Sequence, residues 1–143
     1  MSSDIDETDE RIIHILQADS RRAFVDIAHD VGLSESAVRR RVKNLVDGGI
    51  IKRFTIELAA RDKTSAITLI SVASTADTSA VSNYLMKLNG VKVVYEITGQ
   101  YDIAAIITAP AIPDINKCID DIRKIDGVSD TDTVIILKTM HQS

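Results

Sequence analysis

Cysteine, tryptophan and long apolar runs are scarce or missing in this chain of 143 residues. The single cysteine, Cys118, excludes a disulfide within one chain and is typical of a reducing compartment. Because no basic start leads into a long apolar run, we expect no signal peptide, no membrane span and a cytoplasmic protein. Aromatic residues make up only 3% of the chain, so its core must be built from Ile, Val, Leu and Ala. The length favours one domain or two small ones.

The residues that carry chemistry also lack the spacing that catalytic and metal sites need. The histidines, His14, His29 and His141, stand far apart, so we expect no metal site. Cys118 falls on the apolar stripe of a predicted helix, which indicates a core position and not a nucleophile. We therefore expect no catalytic residues, no metal and no cofactor.

Charge is distributed unevenly along the chain, although the net charge is only −4. Between residues 34 and 53, six basic side chains accompany two acidic ones, which gives a local charge of +4. The basic residues are Arg39, Arg40, Arg41, Lys43, Lys52 and Arg53. Salt screens charges beyond about 8 Å at physiological ionic strength, so this local charge matters more than the net value. The basic segment over residues 34–53 is therefore a candidate surface for binding nucleic acid.

Residues 24–47 have the pattern of two short helices joined at a glycine. Gly32 can take the positive φ that a tight turn between helices requires, and Ala28 is small enough for a close helix crossing. Ser34 stands where an N-cap belongs. The predicted shared core consists of Ile27, Val31, Leu33, Val38 and Val42. This layout predicts a helix-turn-helix whose second helix enters the DNA major groove, and a plain helical hairpin with a basic face is the alternative.

Six residues of this second helix and its cap are candidate DNA contacts. They are Ser34, Ser36, Arg39, Arg40, Arg41 and Lys43. Arginine can read guanine through two parallel hydrogen bonds, so the arginines are candidates for base recognition. Arg41 is ambiguous, because it sits near the edge of the core and could pair with an acid of the first helix.

The N-terminal domain, residues 1–50, is expected to be winged-helix-like. We predict a helix at Glu7–Ala18 capped by Asp6, a helix over residues 24–30 and a helix at Glu35–Asp47. Residues 50–58 alternate, with Phe54, Ile56 and Leu58 on one side, which predicts a half-buried strand. We assign residues 51–65 to this connecting strand and a polar linker.

The C-terminal half, residues 66–143, contains an internal repeat. Lys87-Leu88-Asn89-Gly90-Val91 returns as Lys124-Ile125-Asp126-Gly127-Val128, and each copy closes a helix and opens a strand. Strand-like runs over residues 66–73, 91–98, 103–109 and 133–138 flank the two helices. The order is βαββαβ, as in ferredoxin-like domains, so the fold class is α+β. Two helices cover one sheet face, and the apolar second face predicts a partner subunit unless it is buried within a larger domain.

Residues 97–103, between the two central strands, form a loop with two interpretations. Glycine and aspartate are common turn residues, so the loop can be a plain hairpin connection. Alternatively, backbone N–H groups near Gly99 could receive a carboxylate and Asp102 an ammonium, which would suit an α-amino acid.

These motifs, taken in order along nearly the whole chain, resemble the Lrp/AsnC family of transcription regulators. The resemblance rests on the first helix, on the helix-turn-helix, on residues 98–102 and on residues 131–137. It implies a sequence-specific regulator of double-stranded DNA, built from homodimers that assemble into tetramers or octamers. It also implies amino-acid-type effectors bound at subunit interfaces, with Gly99, Tyr101, Asp102 and Thr133 as candidate contacts. Ala23 departs from the Ser or Thr N-cap that many members carry there.

Two other functions are compatible with the same architecture. A DNA-architectural protein that ignores ligands would keep the basic helix and the sheet. A sirohaem-decarboxylase-like enzyme would need His or Arg near the C-terminal sheet, where this chain has only Arg123 and His141.

Overall fold

The computed structural model describes residues 4–59 and 62–142. These residues form two compact units, one up to Leu58 and the other from Ala59 to Gln142. No helix within these ranges has the length and apolar character needed to cross a bilayer.

The first unit contains three helices, α1 (Glu7–Ala18), α2 (Phe24–Val31) and α3 (Glu35–Asp47). The predicted cap of α1 is confirmed, because Asp6 and Asp9 each accept a hydrogen bond from the other's backbone N–H. Ser34 Oγ likewise accepts from the Ala37 N–H at 3.2 Å. Ala23 provides no side-chain cap for α2, as its residue type predicts.

The core of this unit lies where the three helices meet. Its buried members are Ile12, Leu16, Ile27, Ala28, Val38 and Val42. Gly32 ends α2 with φ +73°, which confirms the predicted turn between α2 and α3. These buried contacts fix the exposed face that α3 presents to solvent.

The predicted strand over residues 50–58 is wrong for this chain: residues 52–59 form no helix or strand. Phe54, Ile56 and Leu58 are 51%, 73% and 77% exposed, so this side is not half-buried either. A strand needs a neighbouring strand to complete its hydrogen bonds, and the sheet formed by the described residues does not include this segment.

The second unit contains β1 (Thr64–Val72), α4 (Thr78–Leu85), β2 (Val91–Glu96), β3 (Ile103–Ala109), α5 (Ile112–Arg123) and β4 (Val128–Ile135). The sheet is antiparallel with the order β2-β3-β1-β4. This order confirms the predicted ferredoxin-like βαββαβ arrangement.

The starts of two strands differ from the sequence prediction, and the ends of β1, β2 and β4 fall one to three residues earlier than predicted. β1 begins at Thr64, so Thr64 and Ser65 belong to the sheet and not to the linker; residues 60 and 61 of that linker lie outside the described residues. β4 begins at Val128, where the second copy of the repeat ends, five residues before the strand-like run predicted over residues 133–138. The polar residues Ser129–Asp132 hide this start, because it depends on pairing with the far end of β1.

The two faces of the sheet have different environments. Residues on the helix side of β1 and β3 join α4 and α5 in the core, among them Ile70, Ile103, Ile107, Ile115 and Ile122. The opposite face carries Val93, Tyr95 and Val134, which are 38%, 53% and 50% exposed. An apolar sheet face is thus left open on the single chain.

Candidate DNA-binding and effector sites

Helix α3 presents a buried apolar side and an exposed polar side. Val38, Val42 and Leu45 are at most 5% exposed and hold the helix against the core. The exposed side carries four of the predicted DNA contacts, namely Ser36, Arg39, Arg40 and Lys43. The helix therefore displays three cations on a surface whose orientation is fixed by packing.

Two of these cations already have acidic neighbours on α3. Glu35 accepts a hydrogen bond from Arg39 Nη2 at 2.5 Å, and Asp47 accepts one from Lys43 Nζ at 2.5 Å. The Arg39 guanidinium carbon also lies 5.1 Å from the centre of the Phe24 ring. Arg40 makes no hydrogen bond or ion pair with any residue that the structure describes.

Arg41 points toward α1 and not along the exposed face. Its Nη1 donates to Asp6 Oδ2 at 2.7 Å and to Asp9 Oδ1 at 2.9 Å, and its side chain is only 29% exposed. The hydrogen bond from Arg41 is the largest cause of the lowered pKa of Asp6, and the same contacts raise the pKa of Arg41. Arg41 therefore ties α3 to the first turn of α1, which is the alternative that the sequence allowed.

The two serines lie at the start of α3. Ser34 Oγ caps the helix and lies 3.2 Å from Ser36 Oγ. The Ser34 hydroxyl is thus engaged in holding the helix start, whereas Ser36 lies two residues further along the chain, on the exposed face of α3.

The predicted effector loop connects β2 and β3, and Asp102 links its end to β1. Asp102 Oδ2 accepts a hydrogen bond from the Val72 N–H at 2.7 Å, and the Asp102 N–H donates to Ile70 O at 3.0 Å. Gly99 has φ +116°, a backbone conformation that favours glycine. The loop therefore has a defined shape, and one carboxylate oxygen of Asp102 is occupied by a hydrogen bond from the backbone of β1.

Tyr101 lies beside two acids that sequence reasoning did not single out. Burial, followed by the carboxylates of Asp132 and Asp130, raises the pKa of the Tyr101 phenol. The sequence feature that could have identified these acids is the alternation of residues along β4, which places Asp130 and Asp132 on the same face of the sheet. Together with Asp102, they add negative charge to this region of the second unit.

Thr133 is not part of this group. Its hydroxyl lies 3.0 Å from the hydroxyl of Thr68, which is fully buried on the helix side of the sheet. Because successive strand residues face opposite sides, Thr133 and Asp132 point away from each other. The structure brings Tyr101 near Asp132, but it does not bring Thr133 to the same surface.

Metal or thiol chemistry finds no support in the described residues. They contain no group of three or more His, Cys, Asp or Glu side chains that could hold a metal ion. Cys118 is buried in the core of the second unit, and burial is the largest cause of its raised thiol pKa. A protonated buried thiol is a poor nucleophile.

A helix-turn-helix followed by a ferredoxin-like ligand-binding domain defines a class of transcriptional regulators. The family model of the AsnC-type helix-turn-helix domain matches residues 5–46. The model of the Lrp/AsnC ligand binding domain matches residues 65–143. The chain belongs to the Lrp/AsnC family of transcriptional regulators.

Curated relatives match over almost their full length. The chain is 39% identical over 136 residues to the HTH-type transcriptional regulator LysM of Sulfurisphaera tokodaii, with 95% of this chain and 97% of LysM covered. LysM of Saccharolobus solfataricus is 41% identical over 138 residues, with 96% and 97% covered.

Solved structures share the fold. Escherichia coli AsnC matches with a TM-score of 0.82 and 26% identity, covering 97% of this chain and 96% of AsnC. A Neisseria meningitidis regulator, solved as an L-Met complex, matches with a TM-score of 0.85 and 24% identity, covering 96% and 93%.

Proposed function

We propose that this regulator binds double-stranded DNA in a sequence-preferring manner, with α3 in the major groove. The observation that carries the proposal is the exposed face with Arg39, Arg40 and Lys43, opposite the buried side of the same helix. In helix-turn-helix proteins, the second helix reads base edges and its cations contact phosphates. We also propose a cytoplasmic location, because the family regulates transcription and therefore acts where DNA is accessible.

Selection of duplexes from a random library by the wild-type protein tests this proposal. A dimer should enrich two-fold symmetric sites whose half-sites are about one helical turn apart, or a multiple of that distance. Binding should also weaken steeply with salt, because phosphate contacts release counterions. A library that shows no enriched sequence after repeated rounds would contradict sequence-preferring recognition.

We also propose that the active form is a homodimer that assembles into a tetramer or an octamer. The open sheet face with Val93, Tyr95 and Val134 is an apolar surface that a second copy can cover. The exposed alternation of Phe54, Ile56 and Leu58 is a strand pattern that lies outside the sheet formed by the described residues, and a strand of a second chain can pair with it.

An α-amino acid or a related molecule is the proposed effector, bound near Gly99, Tyr101 and Asp102. Asp102 Oδ2 already accepts from the Val72 N–H, so Oδ1 is the oxygen available for an ammonium group. The carboxylates of Asp130 and Asp132 beside Tyr101 also favour a ligand with an amine. The Neisseria regulator crystallised with L-Met supports the same ligand class.

A thermal-shift screen of the twenty amino acids tests the effector. A ligand at 100 times its dissociation constant should stabilise the protein by about 2.7 kcal/mol. Asp102→Asn is the informative variant, because its amide oxygen can still accept from the Val72 N–H while the charge is lost. A shift that persists unchanged in Asp102→Asn would contradict the role of Asp102.

A ligand-independent DNA-architectural protein is the second candidate function. The engagement of Asp102 with the Val72 backbone favours it, because that contact gives Asp102 a structural role that needs no ligand. Absence of a thermal shift with any amino acid at millimolar concentration would favour this second function.

A further inference from the structure

The Arg39 side chain is held from two sides by residues that start two different helices. Glu35, the first residue of α3, accepts from Arg39 Nη2 at 2.5 Å. Phe24, the first residue of α2, lies beneath the guanidinium with its ring centre 5.1 Å from Cζ. Arg40, the next residue, is exposed and makes no such contacts among the described residues. The structure therefore singles out one arginine of the exposed face.

We propose that Glu35 and Phe24 are positioning residues that hold Arg39 for recognition of a single guanine. The inference rests on the proposed function, in which α3 lies in the major groove. It adds that base discrimination at one position of the DNA site depends on two residues that do not read that base.

The geometry of arginine makes this arrangement compatible with base reading. A guanidinium has five N–H donors in one plane, so a contact between Nη2 and Glu35 leaves donors for the O6 and N7 atoms of guanine. A free arginine loses much side-chain freedom when it binds, whereas one already oriented by a carboxylate and a ring loses less. The aromatic ring also favours a flat, stacked guanidinium.

Glu35 has a second effect that must be separated from positioning. Its negative charge lies on the face proposed to meet phosphates, so its removal strengthens binding to any DNA. Asp47 provides the matched control, since it pairs with Lys43 over the same i, i+4 spacing and at the same 2.5 Å. The exposed fractions are also similar, 50% for the Glu35 side chain and 59% for Asp47.

The experiment measures binding of the full-length protein to its selected DNA site and to single-base-pair variants of that site. Arg39→Ala first identifies the base pair whose discrimination depends on Arg39. Glu35→Gln should then lower discrimination at that pair by about two- to fivefold, as expected for losing an exposed ion pair, while affinity for random DNA rises. Asp47→Asn should raise affinity for random DNA and leave that discrimination unchanged.

Phe24 is tested without any change of charge. Phe24→Leu should lower the same discrimination by about two- to fivefold, the usual size of an exposed cation–π contact, and Phe24→Tyr should retain it. Phe24 also packs against the core of the first unit, so thermal denaturation must show that the leucine variant is folded. If that variant does not fold, the comparison of Glu35→Gln with Asp47→Asn alone tests whether Arg39 is positioned by its neighbours.

Equal effects of Glu35→Gln and Asp47→Asn on discrimination would overturn the inference, because charge alone would then explain both. Unchanged discrimination in Glu35→Gln would overturn it as well. If Arg39→Ala discriminates between base pairs as well as the wild type at every position, Arg39 does not read a base. The proposed positioning by Glu35 and Phe24 is then wrong as well. These outcomes separate an error in the positioning argument from an error in the proposed function.

Discussion

Replacement of Arg41 by Met should destabilise the N-terminal unit without changing the salt dependence of DNA binding. Arg41 Nη1 donates to Asp6 and Asp9 of α1 at 2.7 and 2.9 Å, so its charge is used inside the protein. Met retains most of the aliphatic stem and removes only the charged end. The matched control is Arg40→Met, because Arg40 is exposed and has no partner among the described residues.

The slope of log K against log salt separates the two arginines. Each phosphate contact that is lost should flatten this slope by about 0.9 on duplex DNA. We expect a change of that size per contact for Arg40→Met and a change close to zero for Arg41→Met. Filter binding or fluorescence anisotropy at several salt concentrations measures both. If the two variants flatten the slope equally, Arg41 contacts DNA and our reasoning about α3 is wrong.

Acid should remove the contribution of the Arg41 contact to stability. Because the pKa of Asp6 is lowered in the folded protein, its ionisation stabilises the fold above the unfolded pKa and ceases to do so as pH falls through the folded value. The difference in melting temperature between wild type and Arg41→Met should therefore be present at pH 7. It should shrink below about pH 4, near the ordinary pKa of Asp. A difference independent of pH would contradict the ion-pair explanation.

Two further predictions concern the second unit and its open face. Gly127→Ala should cost about 1–3 kcal/mol more than Gly49→Ala in urea unfolding. Both glycines have positive φ, but only at Gly127 would the new Cβ lie 2.7 Å from Ala76 Cβ. An equal loss of unfolding free energy in the two variants would contradict this packing. Val134→Asp, on the open face, should give a folded monomer in sedimentation equilibrium, whereas an unchanged assembly would show that this face is not the interface.

Elements with strong local signals were predictable from the sequence. The predicted starts of α1 and α3 were correct because Asp6 and Ser34 cap them, and each cap acts within three residues. The repeated Gly-Val pair likewise located the ends of the helix segments in the second unit and the strand start at Val91. Such signals act between close neighbours in the chain, so the sequence displays them directly.

Features that depend on distant residues were not predictable in the same way. Asp102 bonds to the N–H of Val72, thirty residues away, and this pairing follows from sheet register. The first five residues of β4 were left out of the predicted strand-like run for the same reason, although the second copy of the repeat ends at Val128. The alternation of residues 50–58 predicted a strand, but it says nothing about whether the neighbouring strand belongs to the same chain.

The candidate site was only partly visible in the sequence. The spacing of α3 predicted which cations are exposed, but it did not show that Arg39 lies over Phe24, because that contact depends on how α2 and α3 cross. Likewise, the position of Asp132 beside Tyr101 depends on the contact between a loop and a strand that are far apart in the chain.

The most direct test of our account is a footprint of the Arg39→Ala, Arg40→Ala double variant on the DNA site selected by the wild-type protein. We predict that the footprint is lost while the oligomer size is retained and the protein stays folded, because both side chains are exposed and outside the core. An unchanged footprint on the same site would contradict the assignment of α3 as the DNA-reading helix.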